Sequence, residues 1–123
     1  MKYKALIISI KGTKLTNDEK NLISKYKPWG VILFRRNIKS LKQVIDLTSK
    51  IRKLSKNNRF PILIDEEGKN VSRLQDLISH NFSANFFGQL FTKDKNFCIK
   101  LYKQYVNYIS KNLKNIGINV NTI

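Results

Sequence analysis

The chain has 123 residues, which is enough for one folded domain with a core of its own. Hydrophobic residues make up 41% and charged residues 26%, ordinary values for a globular protein that argue against a disordered tail and against a membrane protein. The formal net charge of +16 requires nucleic acid and anionic surfaces to be weighed as partners.

The first part of the chain predicts two strands with a helix between them. The apolar run Ala5–Ile10 is too short to span a membrane and indicates a buried strand. Thr16 is typical of a helix N-cap, and Glu19, three residues later, completes a capping-box pattern. Pro28 ends that helix, and a second buried strand is predicted over Val31–Phe34.

The remainder predicts two longer helices and two further strands. The first helix starts after Ser40, and the strand Ile62–Ile64 follows it. After a loop, the second helix ends before Gly117, and a fourth strand is predicted over Ile118–Ile123. Apolar residues at helical spacing define the two helices: Leu41, Val44, Ile45, Thr48, Ile51 and Leu54 in the first, and Cys98, Leu101, Tyr102, Tyr105, Ile109 and Leu113 in the second.

The predicted order is β-α-β-α-β-loop-α-β. Alternating strands and helices with short connections favour a parallel sheet covered by helices, which is an α/β fold. The pattern does not distinguish an open sheet from part of a barrel. A complete (β/α)₈ barrel has about 250 residues, so this chain would supply roughly half of one.

Charge and cysteine content indicate the surroundings of the protein. The lysines are scattered through predicted helices and loops, so a solvated basic surface is favoured over a nucleic-acid site, which would form a single basic stripe. Cys98 is the one cysteine and cannot form an internal disulfide. We therefore expect a reducing compartment, the cytoplasm, and no membrane association.

Candidate functional residues follow the predicted strands, because sites in parallel α/β folds lie where strands end. Arg36 and Asn37 follow the second strand, and Asp65, Glu66, Glu67 and Gly68 follow the third, with Arg73 shortly after. Carboxylates accept hydrogen bonds from sugar hydroxyls, and an arginine offers planar donors. A polar pocket and a solvated loop capped by these acids explain this pattern equally well.

Other residues give weaker signals. No second carboxylate cluster completes a metal site, so we expect no metal. His80 has no Ser, Cys or Asp partner at a recognisable spacing, which favours a surface or structural role. Four phenylalanines are interpreted as core or helix-packing groups: Phe86, Phe87, Phe91 and Phe97.

Several of these segments resemble family 3 glycoside hydrolases, specifically the bacterial β-N-acetylhexosaminidases of peptidoglycan recycling. Gly30–Asn37 is similar to the family's G-x-I-L-F-x-R-N segment, and Pro61–Leu74 is similar to its strand followed by D-x-E-G-G-R-V-x-R. Ile10–Thr16, Phe86–Gly88 and Gly117–Asn121 fall in the expected order. The resemblance spans almost the whole chain and implies that residues 1–123 form part of the N-terminal TIM-type barrel domain, with about four parallel strands and no second domain.

The resemblance implies roles for individual residues. Asp65 and Arg73 match the aspartate and arginine that bind terminal N-acetylglucosamine, so a saccharide containing this sugar is the expected partner. Arg36 and Asn37 would shape the barrel mouth, and Glu67 with Gly68 would shape the pocket. The resemblance also implies that no organic cofactor is needed.

The chain also departs from the family pattern. Lys69 and Asn70 replace the motif's second glycine and the arginine after it, and Ser9 replaces an aspartate common at the end of the first strand. These changes could alter the turn or weaken the pocket.

The family's retaining mechanism uses an aspartate nucleophile and a histidine-aspartate acid/base on later loops, expected beyond Ile123. The chain alone is therefore expected to be a truncated, inactive part of the enzyme. Alternatives are a non-catalytic carbohydrate-binding or split-barrel module that associates through its open barrel edge, and a basic nucleic-acid-binding protein.

Overall fold

The computed structural model describes residues 3–122 and contains one parallel sheet with helices along it. The four strands lie in sequence order, β1 (Lys4–Ser9), β2 (Pro28–Leu33), β3 (Ile62–Ile64) and β4 (Val120–Asn121). All three neighbouring pairs are parallel, with Val31 opposite Ile62 and Leu63 opposite Val120. The α/β prediction is confirmed, and the predicted Ile123 lies outside the described residues.

The first helical segment begins at the predicted cap. Thr16 accepts a hydrogen bond from the backbone N–H of Glu19, and the Glu19 carboxylate accepts from the backbone N–H of Thr16. Helix α1 (Asn17–Asn21) continues as a π-helical turn, Leu22–Tyr26, which sequence periodicity did not reveal. Pro28 is then the first residue of β2, so this strand begins three residues earlier than predicted.

Helix α2 (Leu41–Ser55) follows the Ser40 N-cap as expected. Helix α3 (Ala84–Lys93) was missed, because the segment was interpreted as a loop. Its apolar residues recur at helical spacing over a short segment, and of its residues only Phe87 is buried. The packing interpretation is therefore right for Phe87 and wrong for Phe91 and Phe97, which are 46% and 52% exposed.

Helix α4 (Lys95–Asn115) ends at a left-handed glycine before β4, as predicted. Gly117 has a φ of +79°, and a Cβ there would lie 2.4 Å from the Thr48 hydroxyl. This close approach joins the end of α4 to α2, where Thr48 Oγ1 also donates to the Ile116 carbonyl at 2.9 Å.

The core lies between the sheet and its helices. Val31, Leu33, Ile62 and Ile64 are fully buried on the two central strands. By contrast, β1 is exposed along most of its length, with Leu6 at 53% and Ile7 at 45%. The sheet is therefore covered at its centre and open at β1. No helix within residues 3–122 is long and apolar enough to cross a membrane.

Candidate functional site

The structure brings Asp65 and Arg73 together just beyond the end of β3. Arg73 Nη2 donates to Asp65 Oδ2 at 3.2 Å, and the Thr122 hydroxyl donates to Asp65 Oδ1 at 2.5 Å. The side chains are 25% exposed for Asp65 and 31% for Arg73, so both are oriented by the protein and still reach solvent. Two of the sequence-predicted site residues thus form one polar pair.

The environment of Asp65 keeps it ionised. The Thr122 hydroxyl and the Arg73 guanidinium lower the pKa of the Asp65 carboxyl below its ordinary value, and together they outweigh the opposite effect of partial burial. The Arg73 guanidinium also lies 5.9 Å from the centre of the Phe34 ring, within range of a cation–π contact. The pair can therefore offer a carboxylate acceptor and a planar donor to one ligand.

A tight turn separates the two residues. The backbone N–H groups of Glu67 and Gly68 both donate to the Val71 carbonyl, at 2.8 and 3.2 Å. Gly68 has a φ of +125°, and a Cβ there would lie 2.2 Å from the carbonyl oxygen of Phe82. Only glycine fits this position, so Gly68 shapes the turn, whereas the Glu67 side chain is exposed.

The residues that depart from the family motif do not need glycine. Lys69 and Asn70 are both exposed, and neither has a positive φ. The Lys69 N–H donates to the Phe82 carbonyl at 3.3 Å, which a glycine would also do. The turn is therefore compatible with these two substitutions.

Sequence reasoning missed a buried network behind this turn. Glu66 is 3% exposed. The His80 Nε2 atom lies 2.6 Å from Glu66 Oε1, and the two atoms share a hydrogen bond. The other His80 ring nitrogen lies 3.1 Å from the Tyr105 hydroxyl. The partners are separated by 14 and 25 residues and lie on different elements, so no local spacing could have linked them. Of the two roles expected for His80, the surface one is wrong, because the residue is buried, and its two hydrogen bonds agree with the structural one.

Asn37 and Arg36 join the ends of β1 and β2. The Asn37 amide donates to the carbonyls of Ile10 and Gly12, both at 3.0 Å, and its oxygen accepts from the Phe34 N–H at 2.8 Å. Arg36 Nε donates to the same Ile10 carbonyl at 3.1 Å. Asn37 is completely buried, so its amide holds the loops beyond these two strands together.

Two cavities differ in their position relative to the strand ends. One of about 510 Å³ is lined by Glu66, Glu67 and Asn121 from the strand ends and by aromatic residues such as Tyr105. Another of about 790 Å³ lies away from the strand ends, against α1 and α2, with five lysines in its lining: Lys14, Lys20, Lys50, Lys53 and Lys56. Since the polar pair and its neighbours belong to the strand ends, we assign the candidate site there and not to the larger cavity.

Metal ligands are not grouped in this part of the protein. Within residues 3–122 no three His, Cys, Asp or Glu side chains are placed to hold a metal ion. Asp65, Glu66 and His80 instead bond to protein donors and acceptors.

Known proteins share this arrangement of strands. The chain is 29% identical over 115 residues to a β-hexosaminidase of Stenotrophomonas maltophilia, an alignment covering 94% of this chain and 34% of the relative. The structure of NagZ from Neisseria gonorrhoeae in complex with N-trifluoroacetyl-D-glucosamine matches 98% of this chain and 36% of that one, at 27% identity and a TM-score of 0.86.

A family 3 β-N-acetylglucosaminidase from Paenibacillus sp. str. FPU-7 matches 97% of this chain and 22% of that one, at 25% identity and a TM-score of 0.84. No protein-family model matches the chain. The chain spans about a third of the length of the curated relatives it matches.

The four parallel strands therefore correspond to the N-terminal portion of a TIM-type barrel. The sequence relatives are named β-hexosaminidases, and the structural neighbours include NagZ and a family 3 β-N-acetylglucosaminidase. By these relationships, the chain belongs to glycoside hydrolase family 3, as a counterpart of the N-terminal part of its barrel domain.

Proposed function

We propose that this chain forms part of the sugar-binding wall of a β-N-acetylhexosaminidase and binds terminal non-reducing N-acetylglucosamine through Asp65 and Arg73. The observation that carries the proposal is the fixed, solvent-accessible ion pair beyond β3. A carboxylate accepts hydrogen bonds from sugar hydroxyls, and a guanidinium donates to them, so the pair is complementary to neighbouring hydroxyls of one sugar ring.

The names of the structural neighbours support N-acetylglucosamine as the sugar in this proposal. One structural neighbour is a complex with N-trifluoroacetyl-D-glucosamine, and others are β-N-acetylglucosaminidases by name. We extend the proposal to saccharides derived from peptidoglycan and to a cytoplasmic location, as the resemblance to recycling enzymes implies.

The chemistry of hydrolysis is proposed to come from groups outside these 123 residues. Glu66 is unsuited to act as the nucleophile, because it is buried and both of its oxygens accept hydrogen bonds from within the protein. Asp65 accepts from Arg73 and Thr122. The nucleophilic aspartate and the histidine-aspartate acid/base of the retaining family mechanism would be supplied by later barrel loops.

Two measurements test this proposal. In the first, N-acetylglucosamine is titrated into the ¹⁵N-labelled chain, and we expect the amides around Asp65 and Arg73 to shift. Asp65→Asn and Arg73→Lys should weaken binding about tenfold or more, because each removes a charge-assisted contact or its planar geometry. Arg35→Lys is the matched control, since Arg35 pairs with Asp76 on the surface. Equal effects of the two arginine variants would refute the assignment.

The second measurement addresses catalysis. The purified 123-residue chain should release no chromophore from a chromogenic β-N-acetylglucosaminide. Turnover by the chain, abolished by Glu66→Gln or Glu67→Gln, would show that its own carboxylates perform the chemistry and would overturn this part of the proposal.

A second candidate is a split-barrel module that associates with another polypeptide. The observation that favours it is β1, whose apolar residues Leu6 and Ile7 are exposed on a strand hydrogen-bonded along one side only. Sedimentation of the purified chain tests this candidate. A monomer that remains soluble at all concentrations would count against it, and a Leu6→Lys variant should reduce any association.

A further inference from the structure

Glu66 holds the loop that carries Arg73. Its Oε2 atom accepts the backbone N–H groups of Arg73 at 2.9 Å and of Leu74 at 3.1 Å. Its own backbone is held by the Asn121 amide, which accepts from the Glu66 N–H and donates to the Glu66 carbonyl, both at 2.9 Å. Arg73 is thus held at two points, its main chain by Glu66 and its guanidinium by Asp65.

Behind Glu66, two further side chains complete the network. His80 Nε2 faces the Glu66 carboxylate at 2.6 Å, and the side chains are 2% and 1% exposed. A carboxylate that already accepts two N–H groups requires a donor here, so Nε2 carries the proton. In the neutral tautomer with its proton on Nε2, the other nitrogen, Nδ1, accepts the Tyr105 hydroxyl proton at 3.1 Å.

The state of Tyr105 agrees with this direction of hydrogen bonding. Burial raises the pKa of the Tyr105 phenol, and the nearby Glu66 carboxylate adds to the effect. Tyr105 therefore remains a donor at neutral pH. The hydrogen bonds run from Tyr105 to His80 to Glu66, and they connect α4 with the loop beyond β3.

We propose that Glu66, His80 and Tyr105 are positioning residues that hold Arg73 in its sugar-binding geometry, through the chain of buried hydrogen bonds from α4 to the Arg73 backbone. This inference rests on the proposed function for its sugar, but the placement of Arg73 can be measured without one. None of the three needs to touch the saccharide. Their effect passes through the Arg73 and Leu74 amides, which Glu66 fixes relative to Asp65.

The single histidine of the chain makes the first test unambiguous. In ¹⁵N spectra of the whole chain, His80 should appear as the neutral tautomer with the proton on Nε2. In His80→Leu, one Glu66 oxygen loses its donor, and we expect exchange of the Arg73 and Leu74 amides to accelerate and N-acetylglucosamine affinity to fall, each about tenfold. His80→Gln can still donate to Glu66. In this variant the amide exchange rates and the N-acetylglucosamine affinity should both lie within about threefold of the wild-type values.

Two tyrosine variants test the network if His80→Leu does not fold. Tyr105→Phe removes only the hydroxyl that donates to His80 and should speed exchange at Arg73 about threefold. Tyr108→Phe is the matched control on the same helix, because the Tyr108 hydroxyl is exposed and contacts only the Ser79 carbonyl, at 3.4 Å. The His80 ring signals should change in the first variant and not in the second.

The outcomes separate this inference from the proposed function. Faster Arg73 exchange in His80→Leu or Tyr105→Phe, with Tyr108→Phe unchanged, supports the network even if wild-type protein ignores N-acetylglucosamine, a result that would refute only the sugar. Unchanged exchange at Arg73 and Leu74 in both network variants overturns the inference. So does an Nδ1–H tautomer of His80, because Nε2 would then have no proton to donate to Glu66.

Discussion

Replacing Gly68 with alanine should destabilise the protein strongly, because two independent features of the structure oppose a side chain there. The φ of +125° is unfavourable for any residue with a Cβ, at a cost of roughly 1–3 kcal/mol. The new Cβ would also lie 2.2 Å from the Phe82 carbonyl oxygen, so the Phe82 backbone must move. That movement would break the hydrogen bond from the Lys69 N–H to the same carbonyl, at about 1 kcal/mol.

The sum is about 3 kcal/mol, a large fraction of the roughly 5–15 kcal/mol by which domains are stable. Equilibrium urea unfolding followed by circular dichroism measures it. Gly12→Ala is the matched control, because nothing lies within 4 Å of its added Cβ and its φ is not positive. If Gly68→Ala and Gly12→Ala differ by less than about 1 kcal/mol, the turn does not require glycine and the reasoning is wrong.

Three further changes have distinct expected outcomes. Asn37→Asp should lower the free energy of unfolding by roughly 3–4 kcal/mol, because a buried carboxylate would replace the amide that donates to Ile10 and Gly12; thermal unfolding measures this. Thr16→Ala removes the helix cap and should cost about 1 kcal/mol in urea unfolding. Wild-type stability is full above the unfolded-state pKa of Asp65 and should be lost as pH falls through its lowered folded-state pKa, because only the ionised form stabilises the folded state. In Asp65→Asn this loss at acid pH should shrink. Identical profiles of unfolding free energy against pH for the two proteins would contradict the lowered pKa of Asp65.

Much of the fold could be predicted from local patterns. The β3 strand Ile62–Ile64 was predicted to the residue, because a short buried run between turns leaves little freedom. The capping box at Thr16 could be predicted because its hydrogen bonds join residues three apart, and the structure confirms both bonds. Helix α3 was missed although Phe87 and Leu90 recur at helical spacing, because the segment is short and was interpreted as a loop. Local sequence therefore predicts the longer buried or capped elements, whereas α3, a short helix capped by Ser83, was not recognised.

The site was predictable only in part, for a related reason. Asp65 and Arg73 are eight residues apart and were paired through a motif, and the structure places them within one hydrogen bond. Nothing in the sequence connects either of them to Tyr105, because the hydrogen bond between Tyr105 and His80 depends on how α4 packs against the turn. Long-range side-chain networks require the tertiary structure, even when each residue in them has been noticed singly.

The three consecutive acids after β3 lie in three different environments. In extended backbone, successive side chains point to opposite sides. Asp65 reaches Arg73 at the accessible end of the strand, whereas Glu66 lies on the buried side against His80. Glu67 already belongs to the turn, and its side chain is exposed. Under the proposed function, Glu66 would act on a sugar through the position of Arg73, which is why the buried acid and the accessible one have to be tested by different measurements.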